Sequence, residues 1–141
     1  MTSPLYNLEI LKLAASTSAL NRLDCPQVSI EKRSPTCGSR VRIDMDVDRD
    51  GRVTALGAVL HACALGQAST ALLFAHAHGQ SAQDLVDARD ALRDYLKGNR
   101  PQPGDWPGLE VFSPARKHTG RHASILLAFE AAAEAAITAR R

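Results

Sequence analysis

Cys37 and Cys63 flank a run that reads as a β-hairpin, so folding would bring two thiols to one end of a sheet. Cys37 lies in the loop Ser34-Pro35-Thr36-Cys37-Gly38-Ser39, ahead of the alternating run Val41, Ile43, Met45 and Val47. Cys63 ends the run that returns after the turn Asp48-Arg49-Asp50-Gly51. With Asp48 opposite Gly51, the expected register sets Cys37 across from Ala62 and beside Cys63. Thiolate is the nucleophilic and metal-binding form of cysteine, and a cation or a helix N-terminus favours it. Arg40 follows Cys37, and Cys63 precedes a helix expected from Gly66. Cys63 also fits the blander part of a small buried side chain in an apolar strand. Cys37 does not, because Pro35 and Gly38 place it in a tight loop whose backbone could approach a bound ion.

Two thiolates rarely complete a metal site, which directs attention to the five histidines. His122 is the strongest candidate, since Arg121-His122-Ala123-Ser124 stands where a loop becomes a helix; His118, one loop earlier, could substitute. Strand alternation gives His61 the facing of Cys63, which fits either a metal or the core. His76 and His78 are expected to bond helix-terminal carbonyls or solvent. Asp46, Asp48 and Asp50-Gly51 imitate the start of a calcium loop, but Gly57 holds the twelfth position and the surrounding pattern is strand, so the segment is a turn. A Cys-His hydrolase lacks any marked oxyanion hole or orienting third residue.

The elements that must position these groups follow from periodicity. Ser3 and Pro4 read as the N-cap and first residue of a helix in which Leu5, Leu8, Leu11 and Ala15 keep helical spacing. Val28 to Lys32 alternates as a short strand, and the next strand sets Arg40, Arg42, Asp44 and Asp46 on a wet face. The return strand runs from Arg52 to about Leu60. A helix from Gly66, with Ala68, Leu72 and Ala75 on one side, ends at Gly79. Ser81-Ala82-Gln83-Asp84 is a capping box that opens a helix striped by Leu85, Ala88, Leu92 and Leu96. Residues 98–108 form a loop pinned by Trp106, and a final helix from about His122 is buried along Ile125, Phe129, Ala133 and Ile137. The order implies an α+β domain: a small three-stranded antiparallel sheet packed against a layer of about four to five helices.

Bulk properties exclude several classes. A chain of 141 residues, 45% hydrophobic, suits a single domain over 1–141 with a core that needs no staple. The net charge of +2 is scattered, with no basic stripe for nucleic acid. Three cysteines without a C-x-x-C spacing, and an opening without the charged start of a signal peptide, fit a reducing cytoplasm. Residues 53–83 carry no Asp, Glu, Lys or Arg, yet His61, Gly66, Gln67, Ser69 and Thr70 interrupt them; a buried strand leading into a buried helix is expected, not a membrane span.

Thr36-Cys37-Gly38-Ser39, Cys63-Ala64-Leu65-Gly66-Gln67-Ala68-Ser69 and Arg121-His122-Ala123-Ser124 together resemble, in order and spacing, the three ligand motifs of the IscU/NifU-type iron–sulfur cluster assembly scaffolds. The resemblance covers nearly the whole chain. It implies that Cys37 and Cys63 ligate metal, with His122 where the family has its third cysteine and Ser39 where it usually has an aspartate. It further implies a labile [2Fe–2S] cluster or iron held by Cys37, Cys63 and His122, with Ser39, water or a partner's residue completing the site. The cluster would pass to apo iron–sulfur acceptor proteins. The stretch including Asn99 to Gly108 resembles the SufU-type branch, which implies a cysteine desulfurase as partner and, as the enzymatic alternative, a zinc-dependent sulfur acceptor. Ser113-Pro114-Ala115-Arg116-Lys117 matches the chaperone motif of the IscU branch poorly. A third reading is a degenerate member that keeps the fold as an interaction module.

Overall fold

The alternating pattern of Val41, Ile43, Met45 and Val47 produces the central strand of the sheet, and all four side chains are buried. The structure is a computed structural model that describes residues 5–35 and 38–139. Strands β1 (Val28–Arg33), β2 (Arg40–Val47) and β3 (Val53–His61) form an antiparallel sheet in the order β1-β2-β3. Helices α1 (Leu8–Ser16), α2 (Ala64–His76), α3 (Ala82–Leu96) and α4 (His122–Ala139) accompany it, with short 3₁₀ turns at Thr17–Ala19, Leu109–Ala115 and Thr119–Arg121. The α+β class and the three-stranded sheet agree with the sequence expectation.

Helix α4 is the organising element. It packs on β1 and β2 on one side and on α2 and α3 on the others. Ala128, Ala131, Ala132, Ala135 and Ala136 are buried along it, and small side chains of this kind let neighbouring backbones approach closely. The apolar run Thr119–Ala139 is long enough to cross a bilayer by composition, but here that apolarity belongs to a core helix. Its fourth expected contact, Ile137, is 36% exposed and lies at the helix end beyond the core.

The hairpin register differs from the expected one. Asp48 pairs with Arg52, donating its N–H to the Arg52 carbonyl at 2.8 Å, and Gly51 takes φ 80° as the extra residue of the turn. A second irregularity between Asp46 and Val47 shifts the ladder again, so Arg40 pairs with His61. Each added residue moves the pairing along β3 by one. Cys63 lies beyond the end of β3 and is the N-cap of α2, which starts at Ala64, two residues before the start expected at Gly66.

Helix α1 also departs from expectation. Asn7 caps it, its side chain accepting from the Ile10 N–H at 3.0 Å, and the proposed cap at Ser3 and Pro4 lies outside the described residues. Ile10 and Ala14 are buried, whereas Leu8 is 68% and Leu11 48% exposed. The helix carries apolar residues on two faces, and contact with α2 selects the one bearing Ile10. In α2, Ala75 is exposed while Leu65, Ala68, Leu72 and Leu73 are buried. The capping box at Ser81 and Asp84, the buried stripe of α3 and the pinning of the loop by Trp106 are as expected. Trp106 donates its indole N–H to the Leu72 carbonyl at 2.9 Å and meets Phe129 edge-on at 5.3 Å.

The polar face of the sheet is not uniformly wet. Asp44 is fully buried beneath the segment 20–27, which crosses this face as a strap. Its carboxylate accepts two hydrogen bonds from the Arg22 guanidinium, at 3.0 and 3.2 Å, one from the Leu23 N–H at 3.1 Å and one from the Ser29 hydroxyl. The strap also accepts the Ala58 N–H on the Asn21 carbonyl. It comes so close that a Cβ on Gly57 would stand 2.6 Å from the Asn21 oxygen and the Leu23 nitrogen, which is why glycine occupies this central strand position.

Burial alone would raise the Asp44 pKa, but the hydrogen bonds from Arg22, Ser29 and Leu23 and the Arg22 charge outweigh it and hold the carboxyl below its ordinary value. A depressed carboxylate contributes stability above the unfolded-state pKa and loses it as pH falls through the folded value. Asp44→Ala should therefore cost about 1–3 kcal/mol at neutral pH, since it removes the acceptor of the half-buried Leu23 N–H and Ser29 hydroxyl and of the Arg22 guanidinium. The difference from the unmodified chain should shrink below about pH 4 as the carboxyl of the unmodified chain protonates. Urea unfolding at a series of pH values checks both statements; a pH-independent difference would contradict them.

Candidate metal and sulfur site

The β3–α2 junction sets the Cys63 side chain at the start of a helix. Cys63 takes extended backbone angles, and its carbonyl accepts the first helical bond from the Gln67 N–H at 2.9 Å. The thiol is half-buried beside the first amides of α2, which lack intrahelical partners.

Ser39 approaches from the sheet. The Ser34 N–H donates to the Ser39 carbonyl at 2.8 Å, closing the loop between β1 and β2 just beyond the Arg33–Arg40 pair. Ser39 itself is buried. Thr36 and Cys37 lie outside the described residues, and the expected meeting of Cys37 with Cys63 lies outside them too.

The third approach comes from α4. Ser124, in its first turn, is 2% exposed and places its hydroxyl 3.2 Å from the Cys63 sulfur and 3.5 Å from the Ser39 hydroxyl. Gly66 makes room for it: a Cβ there would sit 2.7 Å from the Ser124 Oγ and 2.9 Å from the Ala62 Cβ. The packing of α2 on α4 thus carries Ser124 onto the sulfur. Nearby, Ser69 donates to the Ile125 carbonyl at 2.6 Å and ties the same two helices together.

His122 opens α4 and is half-buried. Its Nε2 lies 2.9 Å from the Ala115 carbonyl and 3.1 Å from that of Arg116. Two carbonyl acceptors require this nitrogen to carry the proton, which leaves Nδ1 as the imidazole nitrogen able to bind a metal. Arg116 fixes the segment that supplies these carbonyls: it donates to the carbonyls of Tyr95 and Arg100 and stacks over the Tyr95 ring at 4.4 Å. His118 is exposed ahead of a short 3₁₀ turn, and His61 is exposed at the sheet end opposite Arg40. His76 packs edge-on to Trp106 at 6.3 Å. Cys25 is exposed on the strap.

Among the described residues, no three His, Cys, Asp or Glu side chains are grouped to hold a metal ion. What the tertiary structure gathers is one thiol and two hydroxyls, from Cys63, Ser39 and Ser124. Sequence reasoning passed over Ser124 and the glycine that admits it, although both lie in the quoted motifs. The available signal was a hydroxyl in the opening turn of an otherwise apolar helix.

No family model matches this chain, and no curated protein sequence does. Solved structures do match. A nitrogen-fixing NifU-like protein (N-terminal) from Brucella abortus superposes with a TM-score of 0.89 at 35% identity, covering 96% of this chain and 94% of that one. A protein named as an iron–sulfur cluster assembly scaffold for the SUF system, from Fervidobacterium islandicum, has a TM-score of 0.85 at 17% identity, covering 94% of this chain and 96% of that one. The second likeness is one of fold.

Gly66→Ala should separate the first turns of α2 and α4, because its Cβ would stand 2.7 Å from the Ser124 Oγ, 2.9 Å from the Ala62 Cβ and 3.2 Å from the Ser124 carbonyl oxygen. The expected loss is about 1–3 kcal/mol, despite alanine's better helix propensity. Chemical denaturation measures it, and a neutral or stabilising result would refute the close approach.

Proposed function

The chain belongs to the NifU-like (N-terminal) family, and from that membership we propose that it is an iron–sulfur cluster assembly scaffold. The observation that supports this most is the half-buried Cys63 thiol at the N-terminus of α2, lodged against the hydroxyl of Ser124. In this reading the cargo is iron or a labile [2Fe–2S] cluster, and its ligands are Cys37, Cys63 and His122 through Nδ1, with Ser39 as a further oxygen donor. A cysteine desulfurase supplies the sulfur, and apo iron–sulfur proteins of the cytoplasm accept the product.

The donor set suits a carrier better than a permanent holder. Iron–sulfur clusters are held best by thiolates, and neutral imidazole and hydroxyl oxygen are weaker partners for them. An acceptor that offers more thiolates then displaces this site's ligands one at a time. The helix N-terminus meanwhile compensates the negative charge of Cys63 while a coordination position stands open. Zinc with sulfur transfer is the competing occupancy of the same residues.

Anaerobic incubation with ferrous iron, cysteine and a cysteine desulfurase should develop thiolate-to-iron charge-transfer absorption, and an apo-ferredoxin added afterwards should take the cluster. Cys63→Ala and Cys37→Ala should each abolish the absorption. Its failure to develop, or its survival in Cys37→Ala, would refute the scaffold reading. Near-stoichiometric zinc in protein produced without added iron, together with faster desulfurase turnover, would establish sulfur transfer in its place.

A further inference from the structure

Ser124 is the one buried hydroxyl that the structure sets against the Cys63 sulfur among the described residues, and the scaffold reading assigns it no part. We infer that Ser124 is a positioning residue, whose hydroxyl donates a hydrogen bond to Cys63 Sγ and so orients and electronically tunes the sulfur for its metal or cluster cargo. The inference rests on the scaffold reading for the cargo alone; the hydrogen bond stands on the geometry of this chain.

Three features carry it. The Oγ–Sγ separation of 3.2 Å is a hydrogen-bonding distance for sulfur. Ser124 is 2% exposed, so water does not compete for the hydroxyl. Serines in helices often turn back to the carbonyl one turn earlier, but Ser124 stands in the first turn of α4 and its recorded partners are Cys63 and Ser39. Gly66 supports the arrangement, because any side chain there would push the Ser124 hydroxyl off the sulfur.

The direction of the bond follows from the cargo. A metal-bound thiolate has no proton and keeps two lone pairs beside the one it gives the metal, so the serine must be the donor, and the Ser39 hydroxyl lies 3.5 Å from the Ser124 oxygen, oriented so that it could donate in turn. A hydrogen bond to a ligating sulfur withdraws charge from it. The effects are a higher-energy thiolate-to-metal charge-transfer band and a fixed sulfur orientation, the part that groups hydrogen-bonded to first ligands play in metal sites generally.

The test uses the full chain with Cys25→Ser, loaded with cobalt(II). Ser124→Ala should move the sulfur-to-cobalt band to lower energy and weaken cobalt binding roughly ten-fold or more. Ser69→Ala is the control, because it removes another buried hydrogen bond between α2 and α4 without touching the sulfur; it should leave the band in place. Equal band shifts in both variants, or none in Ser124→Ala with circular dichroism unchanged, would overturn the inference. A second measurement needs no metal. In metal-free protein carrying Cys25→Ser and Cys37→Ser, the Cys63 thiol keeps its proton and can donate it to the Ser124 oxygen, so its S–H stretch in the infrared should shift on Ser124→Ala and not on Ser69→Ala. Absence of any cobalt band in the parent protein would overturn the tuning of a metal-bound sulfur, while an S–H stretch unmoved by Ser124→Ala would overturn the hydrogen bond itself.

Discussion

The close packing of α4 against the sheet and against α2 is the constraint on which this molecule depends. Helix α4 can serve as a core helix because a run of alanines faces its neighbours, and the cost of larger side chains there would be felt on several elements at once. The same packing brings a site together from distant parts of the chain. Ser124 reaches Cys63 because α2 carries Gly66 in its first turn, and Ser39 joins them because β2 starts under the same helix end. Core and site are thus one arrangement of the α2–α4 contact.

The opposite face of the sheet is held by different physics. A strap of residues crosses it, fastened by the carboxylate of Asp44 to Arg22, Leu23 and Ser29, with Gly57 giving the strap backbone its clearance. The arrangement buries Asp44 at the centre of a sheet face that stays open to solvent at Glu31 and Val59. Fully paired, the buried charge specifies where the strap lies; deprived of its partners, it would destabilise the fold. The sheet is consequently fixed from both sides, and its end, where β3 passes into α2, presents the cysteine on a rigid base.

The chemistry gathered at that end is sulfur surrounded by oxygen donors. The Cys63 thiol stands at a helix N-terminus, where amides carry partial positive charge, with the Ser124 hydroxyl against the sulfur and the Ser39 hydroxyl one step further out. His122 sits at the start of another helix, its Nε2 committed to the carbonyls of Ala115 and Arg116, which fixes the ring and its tautomer. The Arg116 anchor on Tyr95 ties that histidine to α3, so the segment between α3 and α4, irregular in sequence, is firmly located in space.

The chain's own residues determined the α+β class, the capping box at Ser81 and Asp84, the stripe of α3, the inner face of β2 and the anchoring by Trp106, because local periodicity and side-chain capability specify each without help from elsewhere. The motifs around Cys63 and His122 stood out through their resemblance to a family's ligand motifs and not through periodicity. The hairpin register was not, since an additional turn residue at Gly51 and an irregularity between Asp46 and Val47 leave no mark on an alternating pattern. Nor was the buried face of α1, where two apolar stripes compete and only contact with α2 chooses between them. The burial of Asp44 and the meeting of Ser124 with Cys63 join residues more than twenty and sixty positions apart. Pairings at such separations depend on how whole elements dock, and only the tertiary structure decided them.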